Sequence, residues 1–107
     1  MKIDKTFINT DNDEKYDMNL LQVLQALSDP IRLDIVLCLL DEKRGCLLKE
    51  RYPIVKSTMS HHLKTLREAD IILLHKERNK YKYEVNIDGL NQHFPGLIEL
   101  LKNQIMK

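Results

Sequence analysis

The sequence predicts a mainly helical domain that carries one small β-hairpin, and three observations predict it. Apolar residues recur at helical spacing in the segments on either side of the chain's middle, as in Leu20, Leu21, Val23, Leu24 and Leu27. Tyr81, Tyr83, Val85 and Ile87 alternate strictly with Lys82, Glu84 and Asn86, the period of a half-buried strand. Between them, Ser57 to Ala69 places Met59, Leu63, Leu66 and Ala69 along one helical line, with Ser57, Ser60, His61 and Lys64 opposite. The 107 residues suffice for one domain, 1–107, with a single modest core.

Taken in order, residues 1–16 are polar and acidic and read as an arm or the frayed start of a first helix. The helix over 18–27 has Asp17 or Asn19 as its N-cap. Ser28-Asp29-Pro30 ends it and begins another, with Asp29 as cap and Pro30 at the first helical position. From Ile31 to Leu40 only Arg32 and Asp34 are polar, so this helix should be the central buried one. Asp41 to Gly45 is a charged turn. Cys46 to Arg51 makes a short helix that Tyr52-Pro53 stops. With Lys56 or Ser57 near its N-cap, the Ser57–Ala69 helix completes a helix-turn-helix over 46–69.

The hairpin, or wing, is expected over 71–87. Ile71 to Lys76 pairs with the alternating strand through a Glu77-Arg78-Asn79-Lys80 turn, where Asn79 tolerates positive φ. Leu90, Phe94, Leu97, Ile98, Leu101 and Ile105 predict a last helix over 90–106, with Pro95-Gly96 marking a kink or its true start. The helices over 18–27 and 90–106 hold more apolar surface than a small core needs, which suits a shared interface between two copies.

Composition narrows the function. Hydrophobic residues make up 43% and charged residues 31% of the chain, and no apolar run approaches the ~20 residues of a membrane span. The first ten residues lack the apolar core of a secretory signal, so a cytoplasmic location with no membrane partner is expected. The net charge is only +1, but it is unevenly spread. From Lys56 to Lys82 seven basic residues face three acids (Glu68, Asp70 and Glu77), while the arm is acidic. That asymmetry is an electrostatic footprint for nucleic acid. A helix face of small hydroxyls, one His and one Lys suits base edges and phosphates. Lys56, Ser57, Thr58, Ser60, His61 and Lys64 are therefore candidate DNA contacts, and Arg78, Lys80 and Lys82 candidate wing contacts. His62 borders the apolar stripe and is expected to pack or hydrogen-bond. The sequence has no Gly-rich phosphate loop and no nucleophile with a base at useful spacing, so no enzyme and no cofactor are expected.

Helix, helix, helix-turn-helix, hairpin, helix is the layout of a winged helix. Ala26-Leu-Ser-Asp-Pro-Ile-Arg-Leu-Asp-Ile-Val36 and Lys56-Ser-Thr-Met-Ser-His-His-Leu-Lys-Thr-Leu-Arg-Glu-Ala-Asp-Ile71 resemble the ArsR (SmtB-like) family of bacterial winged-helix repressors, over roughly Leu20 to Leu101. The resemblance implies a homodimer joined through its first and last helices. It further implies binding to double-stranded DNA at an inverted-repeat operator, and release on sensing a small inducer. Metal-sensing members carry Cys-x-Cys before the recognition helix, where this chain has Arg44 and Cys46. A lone thiolate is a poor tetrahedral site. The last helix offers only Asp88, His93 and Glu99, so no metal site is expected, although a metal-sensing repressor with a non-standard site stays open. Cys46, beside Lys43 and Arg44, is a candidate sensing thiol. Cys38 reads as a small core residue, and the two cysteines are not expected to bridge in a reducing compartment. The rival class is a winged-helix module that binds protein and lacks specific DNA affinity.

Overall fold

The computed structural model describes residues 18–41 and 55–105. Cys46, the expected short helix over 46–51 and the acidic arm lie outside them. The described chain forms α1 (Leu20–Leu27), α2 (Pro30–Leu40), α3 (Lys56–Glu68), β1 (Ile72–Glu77), β2 (Lys80–Val85), α4 (Ile87–His93) and α5 (Leu97–Ile105). Five helices and one antiparallel hairpin are the mainly helical winged-helix class that the sequence predicts. No described helix is long and apolar enough to cross a membrane.

Local chemistry sets the helix starts. Asn19 caps α1 by accepting from the Gln22 N–H at 3.1 Å. Asp29 caps α2 through one carboxylate oxygen that accepts from the Ile31 and Arg32 N–H groups at 2.8 and 3.1 Å, with Pro30 in the first turn. α2 buries Ile35, Val36, Cys38 and Leu40, and it packs on α1, α3, β2 and α5 as the central helix. Ile35, Leu66, Ile71, Ile72 and Leu90 are the largest fully buried side chains, so every layer of the fold meets in one core.

Helix α3 ends in a Schellman motif. The Asp70 N–H donates to the Arg67 carbonyl at 2.9 Å, and the Ile71 N–H reaches back to Leu66 at 3.1 Å. Asp70 takes the left-handed position with φ of 59°. Leu66 and Ile71, both fully buried, supply the apolar contact that accompanies this motif. The chain then enters the hairpin, paired from Ile72↔Val85 out to Glu77↔Lys80. Ile72 and Val85 are buried, whereas the strands become exposed toward the tip.

Asn86 links these parts. It is 2% exposed, and its backbone N–H donates to the Ile71 carbonyl at 2.8 Å. Its side-chain amide donates to the Asp70 carbonyl at 2.9 Å, and its Oδ1 accepts from the Gly89 N–H at 3.1 Å. Gly89 must be glycine, because a Cβ there would run into the buried Asn86 amide.

The structure corrects several expectations. Ile87 opens α4 and is not the last residue of the strand, because Asn86 caps a helix there. The expected helix over 90–106 is two helices, with Phe94-Pro95-Gly96 between them and Gly96 at φ of 96°. Positive φ in the hairpin turn falls on Arg78 (55°) and not on Asn79. The turn thus places positive φ at its first central residue alone, as type II′ does. Cys38, 8% exposed, is disulfide-bonded and is no unbridged core residue. The chain's other cysteine is Cys46. The contrary expectation rested on redox compartment, which the sequence does not encode.

Replacing Asn86 with Ala should leave the Asp70 carbonyl and Gly89 N–H without their side-chain partner. Stability should fall by about 2–3 kcal/mol, read as a lower urea midpoint at unchanged slope.

Candidate nucleic-acid interface

The side chains of α3 divide by helical geometry. Leu63, Leu66 and His62 are buried and Met59 is half-buried, while Lys56, Ser57, Thr58, Ser60, His61 and Lys64 are all exposed. Ser57, Ser60, His61 and Lys64 stand at i, i+3, i+4 and i+7, which gives a single outward stripe. At 1.5 Å per residue the 13-residue helix is about 20 Å long, a size that a major groove admits. The helix begins after Val55, the N-cap, so Ser57 and Thr58 lie within the first turn, where the helix dipole favours an anion, with the Thr58 N–H already donating to the Val55 carbonyl at 3.1 Å. Thr65 is turned to its own helix, since its hydroxyl donates to the His61 carbonyl at 3.0 Å.

His62 takes the hydrogen-bonding role expected of it. Its Nδ1 lies 3.3 Å from Arg32 Nη1. A guanidinium only donates, so Nδ1 accepts and the ring proton sits on Nε2. Arg32 also donates from Nε to the Ala26 carbonyl at 2.7 Å and from Nη2 toward the Gln25 carbonyl at 3.4 Å. The far end of α3 is tied as well, where Gln22 Nε2 donates to the Glu68 carbonyl at 3.2 Å. The Asp29 carboxyl is held below its usual value of 3.8, first by the hydrogen bond from the Arg32 N–H. The Ile31 N–H and the Arg32 charge act in the same sense, as a proton on His62 would, and partial burial opposes them. Sequence reading missed Arg32 as the brace behind α3 and Asn86 as its anchor. Arg32 was legible only as one of two polar residues on an otherwise apolar helix.

On the wing, Arg78 and Lys80 are exposed at the tip. Lys82 is engaged on the hairpin itself, 3.8 Å from Glu84 Oε1, while His75 Nε2 lies 3.3 Å from Glu84 Oε2. Such exposed pairs contribute little to stability. Across the other face, Lys76 Nζ sits 5.9 Å from the Tyr81 ring centroid, with Tyr81 itself exposed. No sequence argument singled out Tyr81, because an aromatic in an alternating strand reads as core-facing. Of the metal-ligand candidates, Asp88 lies in the first turn of α4, His93 ends it beside Phe94, and Glu99 lies on α5. Among the described residues no group of three or more His, Cys, Asp or Glu is placed to hold an ion together.

A polar helix face, braced from behind and set beside a basic hairpin, matches the second helix and wing of a winged helix-turn-helix. Comparison with known proteins agrees. The chain is 36% identical over 75 residues to an arsenical resistance operon repressor of Staphylococcus xylosus, covering 66% of this chain and 72% of that one. It is 35% identical over 83 residues to the uncharacterized HTH-type transcriptional regulator YceK of Bacillus subtilis (strain 168), covering 75% and 83%. It is also 35% identical over 65 residues to an arsenical resistance operon repressor of Staphylococcus aureus, covering 60% and 62%. No family model matches the chain. The chain belongs to the ArsR family of winged helix-turn-helix transcriptional regulators.

Arg78 separates folding from binding, because its left-handed backbone is unfavourable for a side chain that serves only at the surface. Arg78→Gly should leave thermal stability unchanged or raised by up to about 1 kcal/mol, since glycine adopts that φ freely. The same variant should bind duplex DNA less tightly, with a salt slope smaller by about one.

Proposed function

We propose that this protein is a homodimeric, cytoplasmic repressor that binds an inverted-repeat operator and is released by a small inducer or a redox signal. The observation that carries the DNA reading is the exposed α3 stripe of Ser57, Ser60, His61 and Lys64, flanked by Lys56 and Thr58. In this reading Ser60, His61 and Lys64 meet base edges and phosphates. The first turn of α3 receives a phosphate, and Arg78 and Lys80 hold the backbone beside it. Two copies related by a two-fold axis would set their α3 helices about 34 Å apart, one DNA turn. The dimer is supported by α1, where Leu20, Leu21 and Leu24 are each about half exposed on the side away from Val23 and Ala26, and by exposed Leu100 on α5. The redox version of the signal is supported by the bond at Cys38, with Cys46 as the candidate sensing thiol.

The test is a shift assay with the duplex lying upstream of the protein's own coding region, against a scrambled duplex of equal length. The upstream duplex should bind far more tightly, with a steep salt dependence, and Lys64→Ala or His61→Ala should each weaken it roughly 5- to 100-fold. Equal affinity for both duplexes would leave the protein-interaction module as the better account. Reductant, oxidant, arsenite and Zn²⁺ arms, repeated on Cys46→Ser, identify the releasing signal. For the dimer, Leu24→Glu should lower the sedimentation mass to one chain at micromolar concentration while the far-UV spectrum is preserved.

A further inference from the structure

The brace behind α3 depends on the protonation state of one buried imidazole. His62 is 8% exposed, and its Nδ1 can accept from Arg32 Nη1 only while it carries no proton. The Arg32 guanidinium keeps its charge at any relevant pH and is fixed by two carbonyls of α1, Ala26 and Gln25. A proton on Nδ1 would replace this hydrogen bond with two like charges at 3.3 Å. We propose that Arg32 and His62 are a positioning pair for DNA binding: the neutral ring seats α3, and protonation loosens it, so DNA affinity falls on acidification. The proposal rests on the reading of α3 as the DNA-contacting helix.

Helix α1 has no ionisable side chain between Leu20 and Leu27. At the start of α2, the Asp29 carboxylate attracts a charged His62, but one of its oxygens already accepts from Ile31 and Arg32. Asp34 lies further along that helix. On β1 the ionisable residues His75, Lys76 and Glu77 occupy the exposed outer half of the strand, beyond buried Ile72. On α3 itself, His61 is the adjacent ring, 6.2 Å away centroid to centroid. His61 is exposed on the outward stripe, so its protonation adds a charge toward phosphate and strengthens binding. The two neighbouring imidazoles therefore act with opposite sign, and the wild-type profile alone would hide the effect.

The experiment follows affinity for the upstream duplex from pH 7.5 down to the lowest pH at which the far-UV spectrum is unchanged. With His61→Asn removing the outward ring, affinity should drop about fivefold to tenfold on acidification. Adding His62→Asn, whose side-chain oxygen stands near the position of Nδ1 and does not titrate, should flatten the profile. Imidazole ¹⁵N shifts, measured without DNA, should place the neutral proton of His62 on Nε2. As the ring titrates, amide signals of α3 should move with it. A flat profile in His61→Asn with His62 intact, a pH drop that survives His62→Asn, or a neutral His62 protonated on Nδ1 would overturn the proposal. Absence of selective binding by the wild type at pH 7.5 would refute the DNA reading and the affinity claim with it. The imidazole signature decides the pairing by itself.

Discussion

Asn86 is the constraint on which the rest of the fold depends. Three segments that share no regular hydrogen bonds meet at this residue: the exit of α3, the root of the hairpin and the start of α4. Its backbone N–H, its carbonyl and both ends of its amide are each paired, the carbonyl with the Leu90 N–H at 2.9 Å. A buried amide is costly when half satisfied and specific when fully satisfied. Here both polar atoms of the amide are paired, which ties the root of the wing to the exit of α3 and the start of α4. An apolar side chain of similar size could fill the space but could not make those ties.

The recognition helix is accordingly held by its ends and its back, which leaves the front clear. The Schellman turn at Asp70 closes its C-terminus, Gln22 reaches the Glu68 carbonyl, and Arg32 reaches His62 in the middle. The last two ties come from α1 and from the N-terminal turn of α2. Because α1 also carries the exposed leucines, a change at that surface has a short mechanical route to α3.

Much of this was legible in the sequence because it is local. Asp29-Pro30, the stripe of Met59, Leu63 and Leu66, and the alternation from Tyr81 to Val85 each encode their element within a few residues. The rest required tertiary contacts. Asn86 falls on the polar side of an alternating strand, and only the packing of α4 buries it. Arg32 looks like an interruption of an apolar helix until the end of α1 and the middle of α3 are brought to it. The break at Pro95-Gly96 was visible, but whether it kinked or divided the helix depended on what Leu90 and Leu97 could reach. Arg78 takes the strained turn position that residue preference alone assigns to Asn79. That choice is set by the strand register Glu77↔Lys80.

The hairpin has one further consequence. From the last buried pair, Ile72↔Val85, five further pairs carry the chain to the Glu77↔Lys80 end, a reach of about 17 Å at 3.3 Å per residue. Nothing but strand length sets that distance, so the wing is a ruler. Removing two residues from each strand would draw the basic tip inward by about 7 Å while keeping each side chain on its face. Removing one from each would exchange the faces and bring Lys82 to the side now held by Tyr81 and Tyr83. Relatives with shorter or longer hairpins would therefore differ in how far from the helix they grip a duplex, in steps of two residues.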